Sequence, residues 1–120
     1  MSILNVGKEF SSHPIGRYYT DGPGSGEEFR EEYLLKRLSE LGDNDVLEVI
    51  IDDEVDGYGS SFLVEAFAGC VKYGHYTSED LLSKIEIKYS DDEFDFFSKR
   101  IIQYVSDAEY SSEKYKTTKS

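Results

Sequence analysis

Val46-Leu-Glu-Val-Ile-Ile51, Asp52-Asp-Glu-Val-Asp56, Gly57-Tyr-Gly-Ser-Ser61 and Phe62-Leu-Val-Glu-Ala-Phe-Ala-Gly-Cys-Val71 follow one another without a break, and their reading decides the fold. The first string is apolar and rich in β-branched residues, the composition of a central strand. The acidic run closes that strand at its carboxyl end, and Gly57 and Gly59 allow a sharp turn. Phe62, Leu63, Ala66, Phe67, Cys70 and Val71 then recur at i, i+1, i+4 and i+5, which gives a helix a broad apolar face to lay on a sheet. Strand, tight loop and helix in this order mark an α/β domain, whose binding groups gather where strands end.

The flanking sequence extends the pattern. Ile3 to Phe10 reads as a first strand, followed by turn residues from Ser11 to Gly16 and a short second strand through Arg17–Thr20. Asp21-Gly-Pro-Gly-Ser-Gly26 must be loop, because glycine and proline at this density disfavour helix and strand alike. Ser25 and Glu28 form a capping-box pattern for a helix carrying Phe29, Tyr33, Leu34, Leu38 and Leu41 on one side and ending at Gly42. Beyond Val71, Thr77 can cap a short helix, and Ile85-Glu-Ile-Lys-Tyr89 alternates as a half-exposed strand. Ser90 and Glu93 repeat the capping-box pattern before a last helix with Phe94, Phe97, Ile101, Tyr104 and Val105 in one stripe. Periodicity stops there. The expected architecture is one α/β domain over residues 1–105, a mixed sheet of about four strands with helices mainly on one face, then a disordered tail over 106–120.

With 120 residues the chain suits one core, and 38% hydrophobic residues can build it. The net charge of -12 repels nucleic-acid backbones and anionic membranes, so neither is an expected partner. One cysteine, Cys70, permits no internal disulfide and fits a reducing compartment; with no apolar run of membrane-spanning or leader length, the expected location is cytoplasmic. Cys70 falls on the apolar helical face, the position of a packing residue. His13 and His75 sit beside turn residues outside any metal-ligand spacing, and no cofactor motif is present. An enzyme is not expected: Asp56 or Glu65 alone lacks the second carboxylate of acid-base chemistry, and the loop is not a nucleophile elbow.

Two loops are candidate sites. In the first, Asp56, Gly57, Tyr58, Gly59 and Phe62 surround Ser60 and Ser61, whose hydroxyls lie at a helix start where added phosphate is favoured by the dipole. The simpler role for either serine is an N-cap. In the second, Gly24, Ser25 and Gly26 enter a helix with Arg17 upstream, a potential anion cradle. It lacks the Gly-Lys-Ser/Thr ending of a P-loop and is followed by Glu27 and Glu28, which satisfy the helix dipole and repel phosphate; a rigid capped loop is the favoured reading.

Phe10-Ser11, Gly16-Arg17-Tyr18, Asp21-Gly22-Pro23, Ser25-Gly26-Glu27-Glu28-Phe29-Arg30, and Gly57-Tyr58-Gly59-Ser60-Ser61-Phe62-Leu63 with Glu65-Ala66-Phe67 resemble the STAS-like domain family of unknown function over most of the chain. That family is related in outline to the sulfate-transporter and anti-sigma-factor-antagonist domains. The resemblance implies a regulatory module that binds an ATPase- or kinase-like protein and is switched by phosphorylation of a serine at a helix start, here Ser60 or Ser61. Gly59 and Phe62 flank the pair where the antagonists carry Asp and Gly. The alternative function is a small-anion or nucleotide sensor using loop 21–26. The sequence leaves the oligomeric state open.

Overall fold

The computed structural model describes residues 2–120; Met1 lies outside the described residues. Strand β1 (Ser2–Asn5) stops where the Asn5 side chain accepts a hydrogen bond from Lys8 N at 3.0 Å and caps a single helical turn, α1 (Val6–Glu9). A capping Asn inside the segment is why the strand does not run on to Phe10. Nor do residues 17–20 form a strand. The Asp21 carboxylate accepts from the backbone N–H groups of Arg17 and Tyr18, both at 2.9 Å, and curls the chain into a 3-10 turn at Tyr19–Asp21.

Helix α2 spans 26–39 as Gly26–Phe29, a π-turn at Arg30–Leu34, and Leu35–Ser39. Ser25 caps it by accepting from Glu28 N at 3.1 Å, but the Glu28 carboxylate reaches back to Gly24 N, one residue before the cap. After β2 (Leu47–Ile50), helix α3 spans 60–72 as Ser60–Leu63, a second π-turn at Val64–Ala68, and Gly69–Lys72. Thr77 caps α4 (Ser78–Lys84), which passes directly into β3 (Ile85–Lys88). Asp91, not Ser90, caps the 3-10 turn Asp92–Phe94 that leads into α5 (Asp95–Asp107). Ser90 N instead donates to the Asp52 carboxylate.

The strands lie in the order β1-β2-β3 and both pairs are parallel, with Leu4 opposite Val49 and Val49 opposite Ile87. The expected mixed sheet of about four strands is therefore corrected, among the described residues, to a parallel sheet of three. Each strand reaches the next through a helix, so no hairpin supplies an antiparallel partner. Right-handed crossovers between strands that advance in one direction put every connecting helix on the same face. Burial agrees: Leu4, Leu47 and Val49 are sealed beneath the helices, while Ile3 on the opposite face is 49% exposed. Arg37 protects the outer edge of β1 by donating to the Ile3 carbonyl at 2.7 Å.

The core is aromatic at its centre. The Phe29 ring lies 5.2 Å from Phe10, 5.7 Å from Phe62 and 5.8 Å from Phe67 between centroids, locking α2 against α3. Two glycines permit the close approach. A Cβ on Gly26 would stand 2.5 Å from the Phe62 carbonyl oxygen, and one on Gly69 would stand 2.5 Å from Arg30 Nη1. Because backbone and a fully buried guanidinium cannot move aside, Gly26→Ala and Gly69→Ala should each destabilise the fold by about 1–3 kcal/mol. Urea denaturation, with a lower midpoint at unchanged slope, is the measurement.

Candidate functional site

The loop between β2 and α3 is held from several directions. Gly59 N donates to Pro14 O at 3.2 Å, the Tyr58 hydroxyl donates to Ile51 O at 2.8 Å, and the Tyr58 ring packs on Phe62, Phe94 and Phe97. Burial pushes the Tyr58 phenol well above its usual range, with the Asp52 charge adding to it. Tyr58 thus acts as the anchor of the loop. Phe62 is wholly buried, and Gly57 lies against the Phe97 ring. Asp56 pairs with His13, Oδ2 to Nδ1 at 3.1 Å, with both side chains largely in solvent.

Neither Ser60 nor Ser61 caps α3. The N-cap is Gly59, with no side-chain capping bond, so the serines occupy the first two helical positions. Ser60 is exposed and Ser61 half-buried. Ser60 opens into a hollow of about 210 Å³ that it shares with Tyr58, Leu63, Phe96, Phe97, Arg100 and Tyr104. Phe96 is 56% exposed and carries the Arg100 guanidinium 4.9 Å from its ring centroid. The α5 residues in this hollow escape sequence reading because only the fold brings α5 beside the entrance to α3.

The second loop is differently engaged. Gly26 N and Glu27 N donate to the carbonyls of Gly16 and Arg17 at 3.0 and 2.9 Å, while Gly24 N and Glu28 N donate to the Glu28 and Ser25 side chains. These four N–H groups, which an anion cradle would use, already have protein acceptors. Arg17 turns from this loop toward Glu65, Nε to Oε1 at 3.8 Å.

That contact belongs to a centre inside the molecule. Arg30 on α2 is fully buried; its Nη1 donates to the Glu65 carboxylate at 2.9 Å and also to the Glu65 carbonyl. The second bond follows from the π-turn in α3. Gly69 N–H, which in an α-helix would donate four residues back to Glu65 O, donates to Val64 O. Glu65 O is thereby left to accept the guanidinium. The Tyr73 hydroxyl donates to Glu65 Oε2 at 2.7 Å, and the Tyr73 ring lies 4.6 Å from the guanidinium carbon. Burial opposes the Arg30 charge, but the hydrogen bond and charge of Glu65 outweigh it and hold the guanidinium more firmly protonated than usual. Arg30 Nε and Nη2, and Arg17 Nε, are buried without a hydrogen-bond partner. Nearby Cys70 is fully buried, and desolvation pushes its thiol up to about 12, consistent with packing.

The centre had a sequence signal. Arg30, Leu34 and Leu38 fall at i, i+4 and i+8, so a charge interrupts the apolar stripe of α2. Glu65 does the same within the apolar face of α3. Among the described residues, no group of three or more His, Cys, Asp or Glu side chains is arranged to hold a metal ion. No family model, curated protein or solved structure matches the chain.

Breaking one side of a buried ion pair leaves the other charge uncompensated, so Arg30→Met should cost about 3–5 kcal/mol. Arg30→Met with Glu65→Met should recover much of that loss in the same urea titration. Glu27, also buried, supplies a pH-dependent test. Burial raises its carboxyl pKa, but donors from Thr118 and Tyr115, with the Tyr19 and Thr118 backbone, outweigh burial and leave it below its ordinary 4.5. Its contribution to stability is full above that ordinary value and is lost as pH falls through the depressed folded value. Replacing the donors by Tyr115→Phe and Thr118→Val should move acid unfolding, followed by far-UV circular dichroism, to higher pH.

Proposed function

We propose that the chain is a regulatory protein-interaction module of the STAS-like kind, cytoplasmic and not an enzyme. Its contact surface is the entrance to α3 together with α5, and Ser60 is the acceptor of a regulatory phosphate. One observation carries this reading. Ser60 is exposed at the first position of a long helix, uncapped, and shares its hollow with Arg100.

A phosphate on Ser60 would meet helix N–H groups and a guanidinium, the two features that make charge-assisted bonds to phosphate. Without it, the surface offers Phe96, Tyr104 and Arg100, residue types that anchor protein interfaces. An added dianion there changes both the charge and the Arg100–Phe96 contact, which is how a local modification releases a partner. The partner in this reading is an ATPase- or kinase-like protein. The anion-sensor alternative is less favoured, because Gly24 N and Gly26 N in that loop, with Glu27 N and Glu28 N just after it, already donate to protein acceptors.

The test incubates the chain with a co-purifying ATPase and ATP, maps phosphate by mass spectrometry, and compares partner binding of Ser60→Ala and Ser60→Asp. Phosphate on Ser60 is expected, with near-normal binding by the alanine variant and at least tenfold weaker binding by the aspartate variant, about 1.4 kcal/mol. Absence of phosphate at Ser60 and Ser61, with unchanged binding by Ser60→Asp, would remove the switch.

A further inference from the structure

Segment 108–120 carries no helix or strand, yet it lies along a defined path away from the Ser60 hollow. Ser111 N donates to the Lys72 carbonyl at 2.9 Å, where α3 ends. The Tyr115 ring then stacks on Tyr73, 4.3 Å between centroids, and covers Arg30 at 5.0 Å. Its hydroxyl donates to Glu27. Thr118 donates to the same carboxylate through its hydroxyl and, at 3.1 Å, its backbone N–H. Thr117 reaches Glu31 at 2.9 Å and Lys119 reaches Glu32 at 3.5 Å.

We infer that the face formed by Glu27, Arg30, Glu31, Glu32 and Tyr73 is a peptide-binding groove. Its partner is an extended basic segment bearing a tyrosine and, three residues on, a threonine; segment 108–120 occupies it in cis. Two observations converge. The groove is acidic along α2, and the part of the occupant that crosses it, residues 114–120, brings Lys114, Lys116 and Lys119 with no Asp or Glu after Glu113, so the charges are complementary in a chain that is otherwise strongly negative. Lifting the segment would leave buried Glu27 with Tyr19 N, 3.1 Å away, as its remaining donor. The segment supplies that carboxylate with two hydroxyls and a backbone N–H, so the site is short of donors and matches an extended peptide better than a simple anion.

A tethered segment acts at an effective concentration of order mM, so it reduces binding in trans by the fraction of time it occupies the groove. The probe is a labelled peptide of sequence 108–120, followed by fluorescence anisotropy against the full chain and its full-length Tyr115→Ala/Thr118→Ala variant. The variant, with its own segment unanchored, should bind the peptide at least tenfold more tightly than the unaltered chain. A peptide carrying the same two substitutions should not bind. Adding Glu32→Lys, an exposed change that spares the core, should weaken binding several-fold. Binding to neither chain, equal binding to both, or indifference to Glu32→Lys would overturn the proposal. So would a concentration-dependent dimer of the unaltered chain in light scattering, which would assign the groove to a second copy. None of these outcomes depends on Ser60, so the switch and the groove stand or fall separately.

Discussion

The buried pairing of Arg30 with Glu65 constrains most of the architecture. A guanidinium with no solvent exposure is tolerable only if its charge is matched at close range, and Arg30 meets that demand through Nη1 alone. Glu65 supplies both a carboxylate and a backbone carbonyl, and the carbonyl is available because α3 widens into a π-turn at that point. The glycines at 26 and 69 follow from the same demand, since the helices must come close enough for one side chain to bridge them. Aromatic packing around Phe29 closes the adjoining space. Polar specificity and apolar burial thus fix one relative placement of α2 and α3; the groove lies on α2 and the end of α3, and the Ser60 hollow lies where α5 meets the start of α3.

Much of the fold was legible because its signals are local. The β-branched run at 46–51, the apolar pairs from Phe62 to Val71 and the cap at Thr77 each act within a few residues, and each produces the element expected of it. Errors arose where a side chain competed with the pattern. Asn5 ended β1 by capping α1, and Asp21 gathered the N–H groups that a strand at 17–20 would have needed. Asp91 displaced Ser90 as a cap because Asp52, distant in sequence, engaged Ser90 N.

The candidate sites were legible in part, for a related reason. Ser60 could be placed at a helix start from the residues alone. Its neighbours Phe96, Phe97, Arg100 and Tyr104 come from α5 and meet it only through tertiary packing. Asp56 stands four residues before Ser60, yet its carboxylate pairs with His13. Arg30 and Glu65 broke the apolar stripes visibly, but a charged residue on a buried face does not announce its partner. The path of segment 108–120 has no periodic signature, since its attachments are single hydrogen bonds and ring contacts distributed along α2 and the end of α3.

The two π-turns also limit how such a chain can vary in length. Each adds one residue to a helical turn, so every side chain beyond it is rotated by about 100° from where an unbroken α-helix would present it. In α2 the turn begins at Arg30, and in α3 it contains Glu65. Losing one residue from either turn would restore a regular ladder yet keep the later half of that helix on the shared contact, because each residue past the turn already stands where an α-helix one residue shorter would place it. In α3 the loss would instead draw the Glu65 carbonyl back into the helix ladder and take an acceptor from Arg30, whereas a residue gained or lost elsewhere in either helix would swing its later half off the contact.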